Sequence, residues 1–173
     1  ERKIGEYLEN FLREIPYFKK HPNQVIVQEL KDDPLHRRNV LAILIGEKEN
    51  SGKTLLFHGH TDTVGLEGYG VLEDCACKPD ELKERMKAVE LPKEVRDDLL
   101  SGEYMFGGGA CDMKSGDAVF LGILKEACKH PEDLCGNIVV SFNPVEENLH
   151  TGILEATDLL LELKERYHLT YLM

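Results

Sequence analysis

What this chain lacks narrows its identity before any motif is considered. It has no long apolar run: nothing approaches the ~18 uninterrupted apolar residues that a membrane span requires. It is poor in positive charge, with 21 basic against 32 acidic residues and a formal net charge of −11. Nucleic acid rewards clustered Lys and Arg, so this balance argues against it as a partner. No C-x-x-C pair occurs among the five cysteines, Cys75, Cys77, Cys111, Cys128 and Cys135. An odd number in a chain of this size reads as reduced thiols in a cytoplasmic protein. There is no G-x-S-x-G, which removes a serine-hydrolase elbow. No repeat or low-complexity linker and no signal peptide is visible, and the chain opens on Glu1, so the natural start is expected upstream.

The 173 residues suffice for one domain with a real core and not comfortably for two. Ile4, Leu8, Phe11, Leu12 and Ile15 fall at helical spacing and predict an amphipathic opening helix over residues 3–15. Strands are predicted at Val25 to Val27, Val40 to Ile45, Thr54 to His58 and Ile138 to Phe142. Apolar runs without polar alternation fit a sheet covered on both faces. Residues 66–106 form a charged, mostly helical excursion, with one helix opening at Pro79-Asp80-Glu81 and a second at Pro92. A helix over Met113 to Lys129 should bury Val119, Phe120, Ile123, Leu124 and Ala127. Another over Gly152 to Glu165 should turn Ile153, Leu159, Leu160 and Leu163 inward, and Leu169 to Met173 starts a further strand. Alternating strands and helices predict an α/β three-layer sandwich with a largely parallel central sheet, whose ligands gather at the carboxyl ends of strands.

One feature invites a wrong reading. Gly46 to Thr54 resembles a phosphate-binding loop, but five residues separate Gly46 from Gly52 where the pattern requires four. An apolar strand follows Lys53 instead of the helix whose N-terminus must face phosphate. Asn50-Ser51-Gly52 reads as a turn between strands.

The chemistry lies in three acidic motifs at the ends of apolar segments. His60-Thr61-Asp62 follows Leu55-Leu56-Phe57, and side chains two apart on a strand share a face. Asp112 sits in Gly107-Gly108-Gly109-Ala110-Cys111-Asp112-Met113-Lys114, and Glu146-Glu147 follows Asn143-Pro144-Val145. Each has a bland reading: a polar residue after a strand, a glycine loop, a solvated acidic pair. Their joint occurrence favours a hydrolytic metal site. His60 is the natural terminal ligand and Asp112, aimed by its glycines, the natural bridge between two ions. Glu146 and Glu147, pointing opposite ways in an extended segment, divide into a metal ligand and a general base that reaches the attacking water. Asp62 is placed to hydrogen-bond the His60 ring. His58 is a structural neighbour, while His21, His36, His130, His150 and His168 have no partner motif. Cys111 has no paired base and reads as small-residue packing.

Leu56-Phe57-His58-Gly59-His60-Thr61-Asp62-Thr63-Val64, then Gly107 to Lys114, then Pro144-Val145-Glu146-Glu147 resemble, in order, the motifs of the co-catalytic zinc metallopeptidases and deacylases. That family includes aminoacylase, carboxypeptidase G and the acetylornithine and succinyl-diaminopimelate deacylases. The stretch 66–106 and Ser101-Gly102-Glu103-Tyr104 look most like its arginine-utilisation, RocB-like branch. The resemblance implies that His60 binds one zinc, Asp112 bridges both, Glu147 binds the second, Glu146 is the general base and Asp62 orients His60. It implies hydrolysis of an amide in an N-acyl amino acid or small peptide, with cobalt or manganese as other metals such ligands accept. The family commonly carries Arg where Gly108 stands. It also uses an acidic ligand one strand beyond the Glu pair, a C-terminal His and a smaller dimerisation domain. Residues 1–173 therefore correspond to the N-terminal part of the catalytic domain, with the zinc site incomplete, the fragment inactive alone and any homodimer formed through the missing domain. The rival readings are a non-catalytic metal-binding or interaction module on the same scaffold, and a nucleotide-dependent enzyme, which the 46–54 spacing already disfavours.

Overall fold

Two largely apolar runs make the centre of the sheet, because strands buried on both faces have little solvent side on which to place polar residues. They are β2 (Arg38–Leu44) and β4 (Asn137–Asn143). In this computed structural model residues 2–49 and 51–172 are described, so Glu1, Asn50 of the predicted turn and Met173 of the predicted last strand lie outside the described residues. The chain divides into two compact units, Glu1–Asp62 with Gly116–Met173, and Thr63–Ser115.

In the first unit the five strands run in the order β1-β2-β4-β3-β5, with β1 Val25–Glu29, β3 Lys53–His60 and β5 Thr170–Leu172. β3 pairs in parallel with β4 and β5, while β2 is antiparallel to β1 and β4. Thus β1, β3, β4 and β5 share one direction and β2 alone opposes them. On one face Val40, Ala42, Leu44, Val140 and Phe142 pack with Leu8 and Leu12 of α1 (Arg2–Glu14), Phe18 of α2 (Pro16–Lys20) and Leu124 of α5 (Ser115–Ala127). On the other, Leu41, Ile43 and Val139 pack with Leu160 and Leu163 of α6 (Thr151–Tyr167). Each fully buried Val, Leu, Ile or Phe among them stabilises by roughly 1.5–3 kcal/mol. The three-layer α/β sandwich is as the sequence predicts.

The structure corrects several details. α5 buries Leu121, Leu124 and Asp117, whereas Val119 and Ile123 are 58% and 42% exposed. Apolar residues run almost continuously through Val119, Phe120, Leu121, Ile123 and Leu124, so periodicity could not choose the stripe. Contact with β3 chose it: Phe120 stacks on Phe57 with ring centroids 4.9 Å apart. On α6, Leu160 and Leu163 are buried as expected, but Gly152 and Ala156 take the places given to Ile153 and Leu159, which are only partly buried. β3 runs on through His60, so the first residue of the motif lies on the strand itself, and Leu55 on it is 43% exposed. The 46–54 segment joins β2 to β3, and β3 starts at Lys53, where a phosphate loop would need a helix.

The second unit is the predicted excursion. α3 (Pro79–Met86) has Pro79 at its start and Asp80 and Glu81 in its first turn, and α4 (Lys93–Ser101) opens after Pro92. α4 ends at Gly102, whose φ of 76° is the left-handed conformation that lets a chain leave a helix. Leu72, Cys75, Leu82, Met86 and Leu99 form its core. No described helix is long and apolar enough to cross a membrane.

Candidate metal centre

Parallel neighbours β3 and β4 end at the same edge of the sheet, with His60 paired to Asn143. The ladder continues one bond further, Thr61 N–H donating to the Asn143 carbonyl at 3.0 Å. Residues 60–62 and 144–147 therefore emerge side by side. Asp62 joins them: its Oδ1 accepts from the Glu146 N–H and its Oδ2 from the Glu147 N–H, both at 3.0 Å. Asp62 Oδ1 also lies 3.5 Å from His60 Nδ1, so one carboxylate faces the ring and both glutamate amides. His60 and Asp62 are 5% and 3% exposed. A carboxylate this buried is stable only where donors surround it, and charge-assisted bonds to N–H groups are among the stronger ones.

With Nδ1 turned to Asp62, the His60 Nε2 is the nitrogen left to face outward, and it lies 4.0 Å from Glu146 Oε2. His60 and Glu147 each bring a ligand atom to within 4.8 Å of the other. A histidine nitrogen beside carboxylate oxygens is the donor set that zinc-type divalent cations take, so these residues fit such an ion. His58 lies on the same side of β3 as His60. Burial of its ring holds the His58 pKa below the usual histidine value and His60 pushes the same way, while Glu146 and a hydrogen bond with Asn143 pull it up.

Two expectations change here. Glu146 and Glu147 occupy a turn, not an extended segment, so their division comes from the Asp62 clamp and not from strand alternation. His150 is not isolated: its Nδ1 is 4.0 Å from Glu146 Oε1, with over half of its side chain exposed.

Asp112 belongs to the second unit. It leaves helical geometry with φ −117° and ψ 103°, as does Met113, and the peptide joining them is cis. The glycines before it are required by space and backbone shape. Gly109 has φ 73°, and a Cβ there would meet Thr63 Cγ2 at 2.4 Å. Gly108 N–H donates to the Ala76 carbonyl at 2.8 Å and Lys114 N–H to the Gly109 carbonyl at 2.9 Å. Cys111 is exposed, which corrects its reading as packing. The structure thus brings His60, Asp62, Glu146 and Glu147 together in the first unit and presents Asp112 on a shaped loop of the second.

Sequence reasoning missed the polar residues under the glutamate turn. Asn39 and Asn143 are 0% and 1% exposed, and each carries a network of side-chain hydrogen bonds. The available signal was an asparagine interrupting each of two otherwise apolar strands.

Residues 56–173, which hold all three motifs, match the model of peptidase family M20/M25/M40. The chain belongs to that family. It is 38% identical over 168 residues to protein RocB of Bacillus subtilis strain 168, covering 97% of this chain and 30% of RocB. It is 37% identical over 173 residues to YqjN of the same strain, covering 98% of this chain and 30% of that protein. The chain thus spans about a third of the length of these relatives. Among solved structures it is similar to human carnosine dipeptidase 1, with a TM-score of 0.55, 16% identity, and 96% of this chain against 30% of that one. That likeness shows the M20 peptidase fold.

Proposed function

We propose that this chain supplies part of a two-metal site in an amide hydrolase that acts on an N-acyl amino acid or small peptide. The observation that carries the reading is the Asp62 clamp, which sets His60, Glu146 and Glu147 around one buried carboxylate. In this reading His60 and Glu147 would hold the ions, with Asp112 as the further ligand that the family resemblance implies. When bound, zinc (or cobalt or manganese) supplies a Lewis acid that polarises the amide carbonyl and makes water a nucleophile near neutral pH.

The chain's own residues do the rest. Asp62 holds the His60 ring with Nε2 outward and raises its basicity. Glu146 is the general base. Its carboxylate takes a proton from the attacking water at Oε2 and delivers it to the leaving amine nitrogen, and with over a third of its side chain exposed it can reach substrate. Amide hydrolysis on such a scaffold fits the family and the likeness to a dipeptidase. The arginine-utilisation branch, a cytoplasmic location and a homodimer belong to the same proposal and rest on resemblance.

Metal content decides it. The full-length natural protein, purified without chelator, should hold close to two divalent ions per chain by elemental mass spectrometry, and Asp112→Ala should lose much of that content. A wild-type protein with no metal, and none taken up from added zinc or cobalt, would establish the non-catalytic module instead.

A further inference from the structure

The polar side chains beneath the glutamate turn form a row across the sheet. Gln28 on β1 faces Asn39 on β2, and Asn143 on β4 faces His60 on β3. Asn39 and Asn143 close the gap directly, the Asn143 Nδ2 donating to Asn39 Oδ1 at 2.8 Å. Elsewhere on this face the same strands present Leu41, Ile43 and Val139 to α6. A buried amide among such neighbours costs free energy unless its hydrogen bonds are made, and a satisfied polar network fixes one geometry where apolar packing tolerates several.

Asn39 has a particular place in this row. Its Nδ2 donates to Gln28 Oε1 at 2.8 Å and to the Gly152 carbonyl at 2.9 Å. Its Oδ1 accepts from Asn143. One side chain therefore ties both ends of the loop from Asn143 to Gly152, the loop that carries Glu146 and Glu147. The ends also touch directly, since a Cβ on Gly152 would meet the Pro144 carbonyl oxygen at 2.1 Å. Asn143 is steadied in turn by the Ser141 hydroxyl, which donates to its Oδ1 at 2.9 Å.

Inside the loop the backbone is strained. Val145 has φ 69°, a left-handed conformation that a β-branched residue rarely takes, and it is 1% exposed. Such conformations persist only where surrounding contacts over-determine them. Here those contacts are the Asp62 bonds to Glu146 and Glu147, the His150 N–H bond to the Val145 carbonyl at 2.7 Å, and the Asn39 tie at both ends.

We propose that Asn39 and Asn143 are positioning residues: their amide network holds the strained Val145 turn shut and so sets where Glu146 and Glu147 stand relative to His60. The consequence for turnover rests on the hydrolase reading above; the mechanical claim does not. Asn39→Asp is the test, since it keeps the shape and the acceptor for Asn143 and removes both Nδ2 donors. Site-resolved hydrogen exchange on the full-length protein should show the Glu146 and Glu147 amides exchanging more than about tenfold faster, with Ile43 and Val139 within about twofold of wild type. With metal restored, kcat should fall about 10–100-fold and KM should stay within about twofold, the size expected for a group that orients ligands from behind. Uniform acceleration across the sheet, or unchanged exchange at the two glutamates, would overturn the proposal. If Asn39→Asp does not fold, Ser141→Ala decides, with about threefold faster exchange at the same two amides supporting it and wild-type rates refuting it. A wild-type protein without metal would sink the hydrolase reading while the exchange result still decided the positioning claim.

Discussion

The two units hold their candidate site residues by different physics. In the first, β2 contributes Val40 through Leu44, all 0% exposed, and the motif residues continue from the ends of strands held by ladder hydrogen bonds. His60 and the start of the glutamate turn are thereby anchored to the core, while Asp62 bonds to the turn itself and Asn39 to the ends of its loop. In the second unit the core is one cluster around Leu82 and Met86, reached by short helices and turns. Asp112 sits there on a non-helical segment shaped by glycines and backbone bonds. A small unit buries less of its surface and opens more readily. The first unit is therefore expected to be the more rigid and the second to have the lower local stability.

The largest effect should come from the chemistry proposed for the first unit. Glu146→Gln in the full-length protein should keep its metal and lose about 10²–10⁴ in kcat, the range for a lost general base. Activity within about tenfold of wild type would remove Glu146 from that role. Next comes the contrast between the cores. Phe142→Ala, in the sheet core and 0% exposed, should cost about 3–5 kcal/mol and lower the main thermal transition. Leu82→Ala, 1% exposed, should cost about 2–5 kcal/mol, read mainly as faster hydrogen exchange across residues 63–115. If both variants lowered the same transition equally, the units would be one cooperative body.

Asp62→Asn tests the clamp at a smaller scale. An amide offers one oxygen where the carboxylate offers two, so one glutamate N–H loses its acceptor and the His60 ring loses its charged neighbour. Turnover or metal affinity should drop about 10–100-fold without loss of the fold, and complete loss of metal would mark Asp62 as a direct ligand.

The smallest effect lies far from the site, in the hairpin between β1 and β2. Asp33 accepts from the Arg37 backbone and from two of its guanidinium nitrogens, and Arg37 holds its carboxyl well below the usual range, at about 2. A depressed carboxylate pKa contributes stability above the unfolded value of 3.8 and loses it as pH falls toward 2. Asp33→Asn should cost about 1–2 kcal/mol at pH 7, with the gap to wild type closing in acid melts between about pH 4 and 2. A gap that persisted unchanged at low pH would mean the loss is packing, not charge.

Much of this architecture was legible because its signals are local. The apolar runs of β2 and β4 read as buried strands, and Pro79 and Pro92 mark helix starts. The three motifs were visible for a similar reason: His, Asp and Glu at the ends of apolar segments have few other uses in combination. What failed depended on contacts across the sheet. The α5 stripe could not be phased until Phe57 met Phe120. The exposure of Cys111, the nearness of His150 to Glu146 and the turn at Glu146-Glu147 were invisible for the same reason.

By itself, then, the sequence determined the α/β class, a charged excursion over 66–106, the family and the residues that carry charge at the strand ends. Those follow from hydrophobic period, turn chemistry and motif order, which are properties of neighbours along the chain. Only the tertiary structure decided that Asp62 grips two backbone amides as well as facing a histidine, and that Asn39 ties the ends of a loop more than a hundred residues away in sequence. Hydrogen bonds between distant segments depend on register and strand order, and no local pattern encodes which amide in one strand will meet which carbonyl in another.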